Sequence, residues 1–296
     1  KCRHLRVLMA ELNRIASHLV AVGTYGLDLG NFTPYMYCFR EREKIVNLFE
    51  AVCGARLTYH YIVPGGVMGD LPPGWLRECS RFLDQFQATL NDLHALLTNN
   101  YIFIRRTAGV GVLPLGTAIS YGCTGPVLRA SGLAWDLRRH GEPIYTQMYA
   151  PYDFQIVAPQ DGQYPDDGLS PPVPDDAVVG DCWHRFYVRM REIVQSVRIV
   201  RQAIQWYQEA DGSVGEPMKI QQKLPVAEAY LETEAPKGQL GFLIVGQGAS
   251  IPRRVRIRSS SFCNLSVLPE LCRGCLVADV PAIVGSLDLV LGEVDR

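Results

Sequence analysis

Apolar residues recur at intervals of three and four along two long stretches of the chain. In residues 5–24, the spacing of Leu5, Met9, Leu12, Ile15 and Leu19 places one apolar stripe along a helix. A second stripe over about 181–209 predicts a long helix with a buried face. The arginines that we expect mostly outside that face are Arg185, Arg189, Arg191, Arg198 and Arg201.

Shorter patterns predict the remaining elements. Residues 39–54 indicate a second helix that ends at Gly54, and a third runs from about 73 to 98 after a loop over 61–75. Gly-rich stretches flank a short helix near 117–121. Residues 151–180 contain six Pro and six Asp, which predicts a surface loop or insertion that is not core.

The last quarter of the chain is predicted to contain strands in addition to helices. Segments 228–234, 240–245 and 253–258 have the composition of strands and are separated by turn residues, which predicts an antiparallel meander. A last helix is expected over about 277–287. We therefore predict a mainly α fold with a small antiparallel β-meander. It forms one continuous domain built from a helical core (1–150), the loop (151–180), the long helix (181–210) and the meander with the C-terminal segment (211–296).

Composition excludes several classes of protein. Lys and Arg number 29 against 30 Asp and Glu, so no basic footprint for nucleic acid exists. No apolar run approaches the roughly 18 residues of a transmembrane helix, so membrane association is expected through partners. Nine scattered cysteines, an odd count, favour a reducing compartment over a disulfide framework. The chain starts at Lys1 without Met, and we expect that a segment precedes it.

Two motifs suggest cofactors only weakly. Cys272 and Cys275 form a CxxC pair with Cys263 upstream, but a closed zinc or iron–sulfur site needs about four ligands. Two structural thiols are the favoured interpretation. Gly109 and Gly111 lack the third glycine and the βαβ context of a dinucleotide loop.

Asp28 lies in an otherwise apolar passage, LDLGNF. A buried carboxylate there would need a donor, a cation or a proton. A solvent-facing turn or helix cap is the alternative, and the residues alone favour it. At this level the sequence indicates a helical subunit of something larger.

Several longer strings, in order, change this interpretation: RVLMAELNRIASHL, LDLGNFTPYMYCFREREKIVNLFEAVCGARL, YIVPGGV, TGPVLRASGLAWDLR, EAPKGQLGFLIV and SLDLVLGEVDR. They closely resemble the hydrogenase-derived quinone-module subunit of complex I, the D subunit of bacteria and the 49 kDa subunit of mitochondria. The resemblance covers most of 3–150, 180–208 and 228–296. It implies a core subunit of respiratory NADH:quinone oxidoreductase, an NADH:ubiquinone reductase that translocates protons.

The resemblance extends to the large subunit of [NiFe] hydrogenases and implies a helical bundle of that type. Hydrogenases end in a pattern like DPCxxCxxH, whose thiolates bind the metals. Val290 and Glu293 stand at the two cysteine positions here, and valine offers no ligand. We therefore expect no metal and no cofactor in this chain, and reject the hydrogenase activity.

In the complex I relatives, the vacated metal cavity has become the quinone headgroup site. By resemblance, Asp28 and Asp288 are the candidate catalytic residues, and Arg56 with Thr58 lie near the cluster. The implied pocket residues are Thr24, Tyr35, Met36 and Val290. Quinone reduction takes two electrons and two protons, so a pocket carboxylate can restore a donated proton, and its changed charge can drive a loop rearrangement.

The resemblance also implies partners. A terminal [4Fe–4S] cluster would lie in a neighbouring subunit, with FMN and the NADH site elsewhere in the complex. The expected neighbours are the terminal iron–sulfur subunit, the 30 kDa or C-type subunit, the ferredoxin-like subunit and the membrane-arm quinone-channel subunit. We expect a peripheral location on the matrix side of the mitochondrial inner membrane, or alternatively on the cytoplasmic side of a bacterial plasma membrane. A structural scaffold of the same complex without quinone chemistry is the rival interpretation.

The chain departs from its relatives in several places. The family's headgroup-binding His and Tyr belong to a region upstream of Lys1, which supports the scaffold interpretation unless another piece supplies them. Thr58 replaces a His near the terminal cluster, and because Thr does not titrate near neutral pH, we expect a cluster potential with weak pH dependence. Val63 replaces an Arg before Pro64. The linker around 211–227 is short, and 151–180 is long.

Overall fold

Helices dominate the computed structural model, which describes residues 1–215 and 223–295. The helices are α1 (Cys2–Asp28), α2 (Phe32–Cys53), α3 (Trp75–Leu93), α4 (Tyr101–Thr107), α5 (Leu115–Ser120), α6 (Pro126–Ala130), α7 (Leu137–His140), α8 (Pro143–Tyr149), α9 (Cys182–Glu209), α10 (Ser260–Ser266), α11 (Leu268–Leu271), α12 (Val280–Leu287) and α13 (Leu291–Val294). A π-helical turn, His94–Thr98, extends α3, and a 3₁₀ turn, Val277–Asp279, precedes α12.

The strands form two small antiparallel sheets. β1 (Ile62–Val63) pairs with β2 (Gly66–Val67) in a short hairpin, where the sequence predicted only a loop. β3 (Glu228–Ala235), β4 (Gly238–Val245) and β5 (Arg254–Arg258) form the predicted meander in that order. The mainly α fold with a small meander is thus confirmed, whereas the likeness to hydrogenases stays a prediction. The linker predicted to be short includes residues 216–222, which lie outside the described part of the chain.

α1 forms the centre of the core and packs against α2 and α9. Its apolar stripe is buried as predicted, but the helix continues to Asp28 instead of ending near 24. The glycines that suggested an end serve close packing: a Cβ on Gly23 would lie 3.0 Å from Cys38 Cβ, and one on Gly26 would lie 3.2 Å from Leu97 Cδ2.

α2 starts seven residues earlier than the charged pattern at 39 predicted. Pro34 falls in its first turn, where the missing N–H needs no intrahelical partner, so the proline begins the helix instead of interrupting it. Gly54, with φ +73°, ends α2 as predicted.

α9 confirms the long helix, but the expectation for its arginines is wrong at three positions. Arg198 and Arg201 are exposed, whereas Arg185, Arg189 and Arg191 are buried. Partners on other segments explain this. Arg185 Nε donates to Ser286 Oγ (2.9 Å), Arg189 donates to the Ser286 carbonyl (2.8 Å), and Arg191 lies 3.0 Å from the Asp167 carboxylate. Burial is tolerated because each guanidinium finds an acceptor.

Residues 151–180 contain no helix or extended strand, which fits the loop prediction. The prediction that they lie outside the core is wrong. Tyr152, Phe154, Val157 and Ala158 are each at most 5% exposed, because apolar side chains between the prolines and aspartates pack inward. Among the described residues, no helix combines the length and apolar character that crossing a membrane requires.

Candidate functional site

A depression of about 370 Å³ lies where the C-terminal end of α1 meets α12. Its lining residues are Thr24, Asp28, Pro281, Val284, Gly285, Asp288 and Leu289. Three predicted site residues, Thr24, Asp28 and Asp288, therefore share one depression although about 260 positions separate the two aspartates in sequence. We call it the Asp28–Asp288 depression.

Gly285 allows the two helices to meet. A Cβ at this position would lie 2.8 Å from Tyr25 Cδ2 and 3.1 Å from Asp28 Oδ2. The absence of a side chain thus lets the Asp28 carboxylate lie directly against the backbone of α12. Thr24 lies one turn earlier on the same face, and its hydroxyl donates to the Val20 carbonyl (2.8 Å).

Asp28 is the last residue of α1, and its side chain is exposed. Among the described residues it has no hydrogen bond or ion pair, and partial burial raises the pKa of its carboxyl above the ordinary value. The solvent-facing helix end, one of the two alternatives left by the sequence, describes this placement. Because no ion pair among the described residues holds the Asp28 carboxylate, it can exchange a proton with a ligand in the depression.

Asp288 is held differently. It follows α12 with a left-handed backbone (φ +54°), and its side chain is only 8% exposed. Lys237 Nζ donates to Asp288 Oδ1 (2.5 Å) and to its carbonyl oxygen (3.1 Å), while Arg189 Nε lies 3.5 Å from Oδ2. Two cations from other segments of the chain thus hold this carboxylate in place.

No sequence pattern marks Lys237, Arg189 or Gly285 as site residues. Lys237 falls among the turn residues between two predicted strands, and Arg189 was expected outside the buried face of the long helix. A glycine inside an apolar helical run was the one available signal, because such a residue often marks close backbone approach.

Tyr25 lies directly behind the depression, and the sequence patterns did not identify it as part of the site. Its ring packs edge-on against Phe103 with centroids 5.6 Å apart, and the Phe186 ring lies 6.3 Å away. The hydroxyl is buried without a hydrogen-bond partner in the described part of the chain, and burial raises the pKa of Tyr25 well above its usual range. This aromatic wall fixes the position of the end of α1.

The other predicted pocket residues do not line the Asp28–Asp288 depression. Tyr35 packs on Phe39 with ring centroids 4.4 Å apart, and Met36 is 52% exposed, both in the first turns of α2. Val290 is 45% exposed and immediately follows the lining residue Leu289. Their placement in a quinone pocket stays a prediction.

Arg56 and Thr58 lie toward the other end of α1. Arg56 forms ion pairs with Glu43 and Glu50, and Thr58 is exposed. The hydroxyl of the next residue, Tyr59, donates to Asn13 Oδ1 (2.5 Å). Asn13 precedes Asp28 by about 22 Å along α1, at 1.5 Å per residue. A groove of about 550 Å³, lined partly by Met9, Asn13, Tyr59 and Met148, occupies this region.

Cys272 and Cys275 are free and partly exposed. Among residues 1–215 and 223–295, no group of three or more His, Cys, Asp or Glu side chains is arranged to hold a metal ion.

The amino-acid sequence is similar to those of one protein family. The profile of the family described as "Respiratory-chain NADH dehydrogenase, 49 Kd subunit" matches residues 28–222 and 214–296. The chain is 45% identical over 296 residues to the D subunit of the NADH-quinone oxidoreductase of Chlorobium luteolum, covering 99% of this chain and 70% of that protein. It is 43% identical over 320 residues to a D subunit, the one numbered 1, of the NADH-quinone oxidoreductase of Opitutus terrae, covering 100% of this chain and 70% of that protein. The chain belongs to the family of the 49 kDa subunit of respiratory-chain NADH dehydrogenase.

Proposed function

We propose that this chain is a core subunit of respiratory NADH:quinone oxidoreductase and that the Asp28–Asp288 depression forms part of its quinone-reduction site. The observation that carries the proposal is the meeting of Thr24 and Asp28 on α1 with Asp288 after α12 in one depression. The relatives are named as D subunits of NADH-quinone oxidoreductase, which supports the reaction.

The two aspartates suit different tasks. Reduction of a quinone to a quinol takes two electrons and two protons, and the electrons would come from a terminal [4Fe–4S] cluster held by a neighbouring subunit. Asp28, free of cations and with a raised pKa, can give a proton to a quinone oxygen and take another from solvent. Asp288, held by Lys237 and Arg189, fixes the C-terminal wall of the site.

Coupling to proton translocation would begin with the charge of Asp28. Loss of its proton places a new negative charge beside the backbone of Gly285, next to a site that already holds Asp288. Like charges repel, so the end of α1 and the segment after α12 form an element whose arrangement responds to the redox step.

FMN and NADH would bind elsewhere in the complex. The partners that we propose are the terminal iron–sulfur subunit, the 30 kDa or C-type subunit, the ferredoxin-like subunit and the membrane-arm quinone-channel subunit. Exposed apolar side chains support contacts with such neighbours, and the most exposed include Leu57, Tyr101, Ile144, Leu276 and Val277. The matrix side of the mitochondrial inner membrane and the cytoplasmic side of a bacterial plasma membrane both fit this assembly. The relatives named above are bacterial, which supports the second.

Substitution of Asp28 tests the proposal in the assembled complex. We expect Asp28→Asn to lower quinone reductase activity by about 10²-fold or more, the usual contribution of one general acid, and to leave NADH oxidation by an artificial acceptor intact. Asp92→Asn, on an exposed position of α3, is the matched control and should change neither rate. Equal loss of both rates with Asp28→Asn would instead support the structural scaffold interpretation.

A further inference from the structure

The Cys272–Cys275 motif lies outside the Asp28–Asp288 depression, and the proposed function does not use it. Its two thiols occupy the turn between α11, which ends at Leu271, and the 3₁₀ turn that begins at Val277 and leads into α12. Both cysteines are free and partly exposed. Two accessible thiols on one turn can undergo a reaction with each other that a single thiol cannot.

The backbone between the two cysteines is a tight turn. The N–H of Cys275 donates to the carbonyl of Cys272 (3.4 Å), and Gly274 has a left-handed backbone with φ +78°. A hydrogen-bonded turn of this kind brings its first and last Cα atoms within about 7 Å, and a disulfide spans about 4.4–6.8 Å between Cα atoms. The backbone is therefore already close to the separation that a disulfide requires.

The two side chains interact across this turn. Burial and the adjacent Cys275 thiol, through its charge and a side-chain hydrogen bond, together raise the pKa of Cys272. The two sulfur atoms therefore lie on the same side of the turn. Because the thiolate is the attacking form, the raised pKa makes Cys272 a slow nucleophile near neutral pH. We expect the pair to react slowly with oxidants and not to turn over as a catalytic dithiol.

The other thiols in this region are placed differently. Cys182 is fully buried. Cys263 is partly exposed but lies toward Gly122, where a Cβ would be 3.9 Å from the Cys263 Sγ. Within the part of the chain that the structure describes, no third ligand joins the pair to hold a metal ion. The two thiols of the motif are therefore best placed to react with each other.

The turn is open to small molecules. Arg273 and Gly274, the two residues between the cysteines, are both exposed. A Cβ on Gly274 would meet nothing within 4 Å, so the space beside the turn is empty of other protein atoms of the described chain. A small soluble oxidant can therefore approach the two sulfur atoms.

A reversible reaction suits the reducing compartment that the scattered, odd-numbered cysteines favour. Disulfides that form in such compartments are usually transient, because small thiols reduce them again. From the sequence, the motif was interpreted as two structural thiols because it lacks the ligands of a metal site. The geometry of the turn adds that these thiols can join.

We propose that Cys272 and Cys275 are a redox modification site, a dithiol that a small disulfide compound such as oxidised glutathione converts reversibly into an intramolecular disulfide. One protein thiolate attacks a sulfur of the small disulfide, forms a mixed disulfide and releases one small thiolate. The second protein thiolate attacks the protein sulfur of the mixed disulfide and releases the other small thiolate. The two cysteines thereby lose two protons and two electrons, and the small disulfide is reduced to two thiols.

Peptide mapping of the assembled complex tests the site. The parent complex is equilibrated with oxidised glutathione, its remaining thiols are blocked by alkylation, and the chain is cleaved after glutamate. Cleavage after Glu270 and Glu293 releases peptide 271–293, which contains Cys272 and Cys275 and no other cysteine. We expect this peptide to be lighter by two hydrogens than its reduced form, with neither cysteine alkylated. A dithiol reductant should restore the alkylation of both.

Substitutions of single cysteines identify the partner. Cys272→Ser leaves Cys275 without its partner, so the mixed disulfide with glutathione should persist on Cys275 until reductant is added. Cys263→Ser, which removes a partly exposed thiol of α10, is the matched control and should form the disulfide like the parent.

The parent complex alone can overturn the inference. It is wrong if both cysteines of peptide 271–293 are alkylated after oxidation, or if either cysteine keeps a glutathione adduct. The assay does not measure quinone reduction, so its result is independent of the outcome for Asp28→Asn.

Discussion

Substitution of Gly285 by alanine tests whether the contact between α1 and α12 sets the position of Asp28 in the Asp28–Asp288 depression. The new Cβ would lie 2.8 Å from Tyr25 Cδ2 and 3.1 Å from Asp28 Oδ2, whereas ordinary contact begins at 3.4 Å. The end of α1 must therefore retreat by about 0.6 Å, since the ring of Tyr25 is packed against Phe103 and Phe186.

The stability and activity effects of Gly285→Ala should differ in size. Alanine gains about 1 kcal/mol of helix propensity, and overpacking costs about 1–3 kcal/mol, so the free energy of unfolding should fall by no more than about 2 kcal/mol. A misplacement near 1 Å can lower a rate by about 10²-fold, so a shift of about 0.6 Å should lower quinone reduction on the order of tenfold.

The assay is the ratio of quinone reductase to artificial-acceptor NADH oxidation in assembled complex. Gly292→Ala is the matched control, because a Cβ there meets nothing within 4 Å. The ratio should fall for Gly285→Ala and be unchanged for Gly292→Ala. An unchanged ratio in both would refute the conclusion that the contact between α1 and α12 sets the position of Asp28.

Two further predictions concern pH. Burial lowers the pKa of His94 from 6.5 to about 4. As pH falls from about 6.5 to about 4, the unfolded chain therefore binds a proton that the folded chain does not. The free energy of unfolding falls over this range by up to roughly 3 kcal/mol. His94→Gln should reduce the drop in inactivation temperature between pH 7 and pH 5, whereas exposed His60→Gln should not; equal drops would contradict the assignment. Thr58 cannot titrate, so the potential of the neighbouring subunit's terminal cluster should vary little between about pH 6 and 8, and Thr58→His should introduce a dependence. A redox titration showing strong dependence in the parent would count against a cluster near Thr58.

The long helices could be predicted because they depend on a local period: the stripe of α1 repeats over several turns, and burial follows the repeat. The meander could be predicted because turn residues separate its three strands, which pair in sequence order. The short helices α6, α7 and α8 could not be predicted, because four to seven residues give too few repeats to separate a helix from a turn.

The arginines of α9 show why polarity alone misplaces side chains. Arg185 and Arg189 are buried because Ser286 lies opposite them, and Ser286 is about 100 positions away in sequence. No local pattern contains that partner. The same reason explains why Lys237, predicted only in a turn, holds Asp288.

The candidate site was predictable residue by residue only through the family resemblance. Composition favoured a solvent-facing position for Asp28, and its exposure at the end of α1 agrees. Asp288 lies next to that helix end because Gly285 allows close contact and because α12 packs against α1 and α9. These contacts join segments that are distant in sequence, so they are seen only in the folded chain.

Cryo-electron microscopy of the assembled complex with a bound quinone tests the central claim most directly. We predict headgroup density in the Asp28–Asp288 depression, within hydrogen-bond distance of the Asp28 carboxylate and facing a partner's iron–sulfur cluster. Headgroup density elsewhere, with Asp28 turned away from both the ligand and any such cluster, would contradict it.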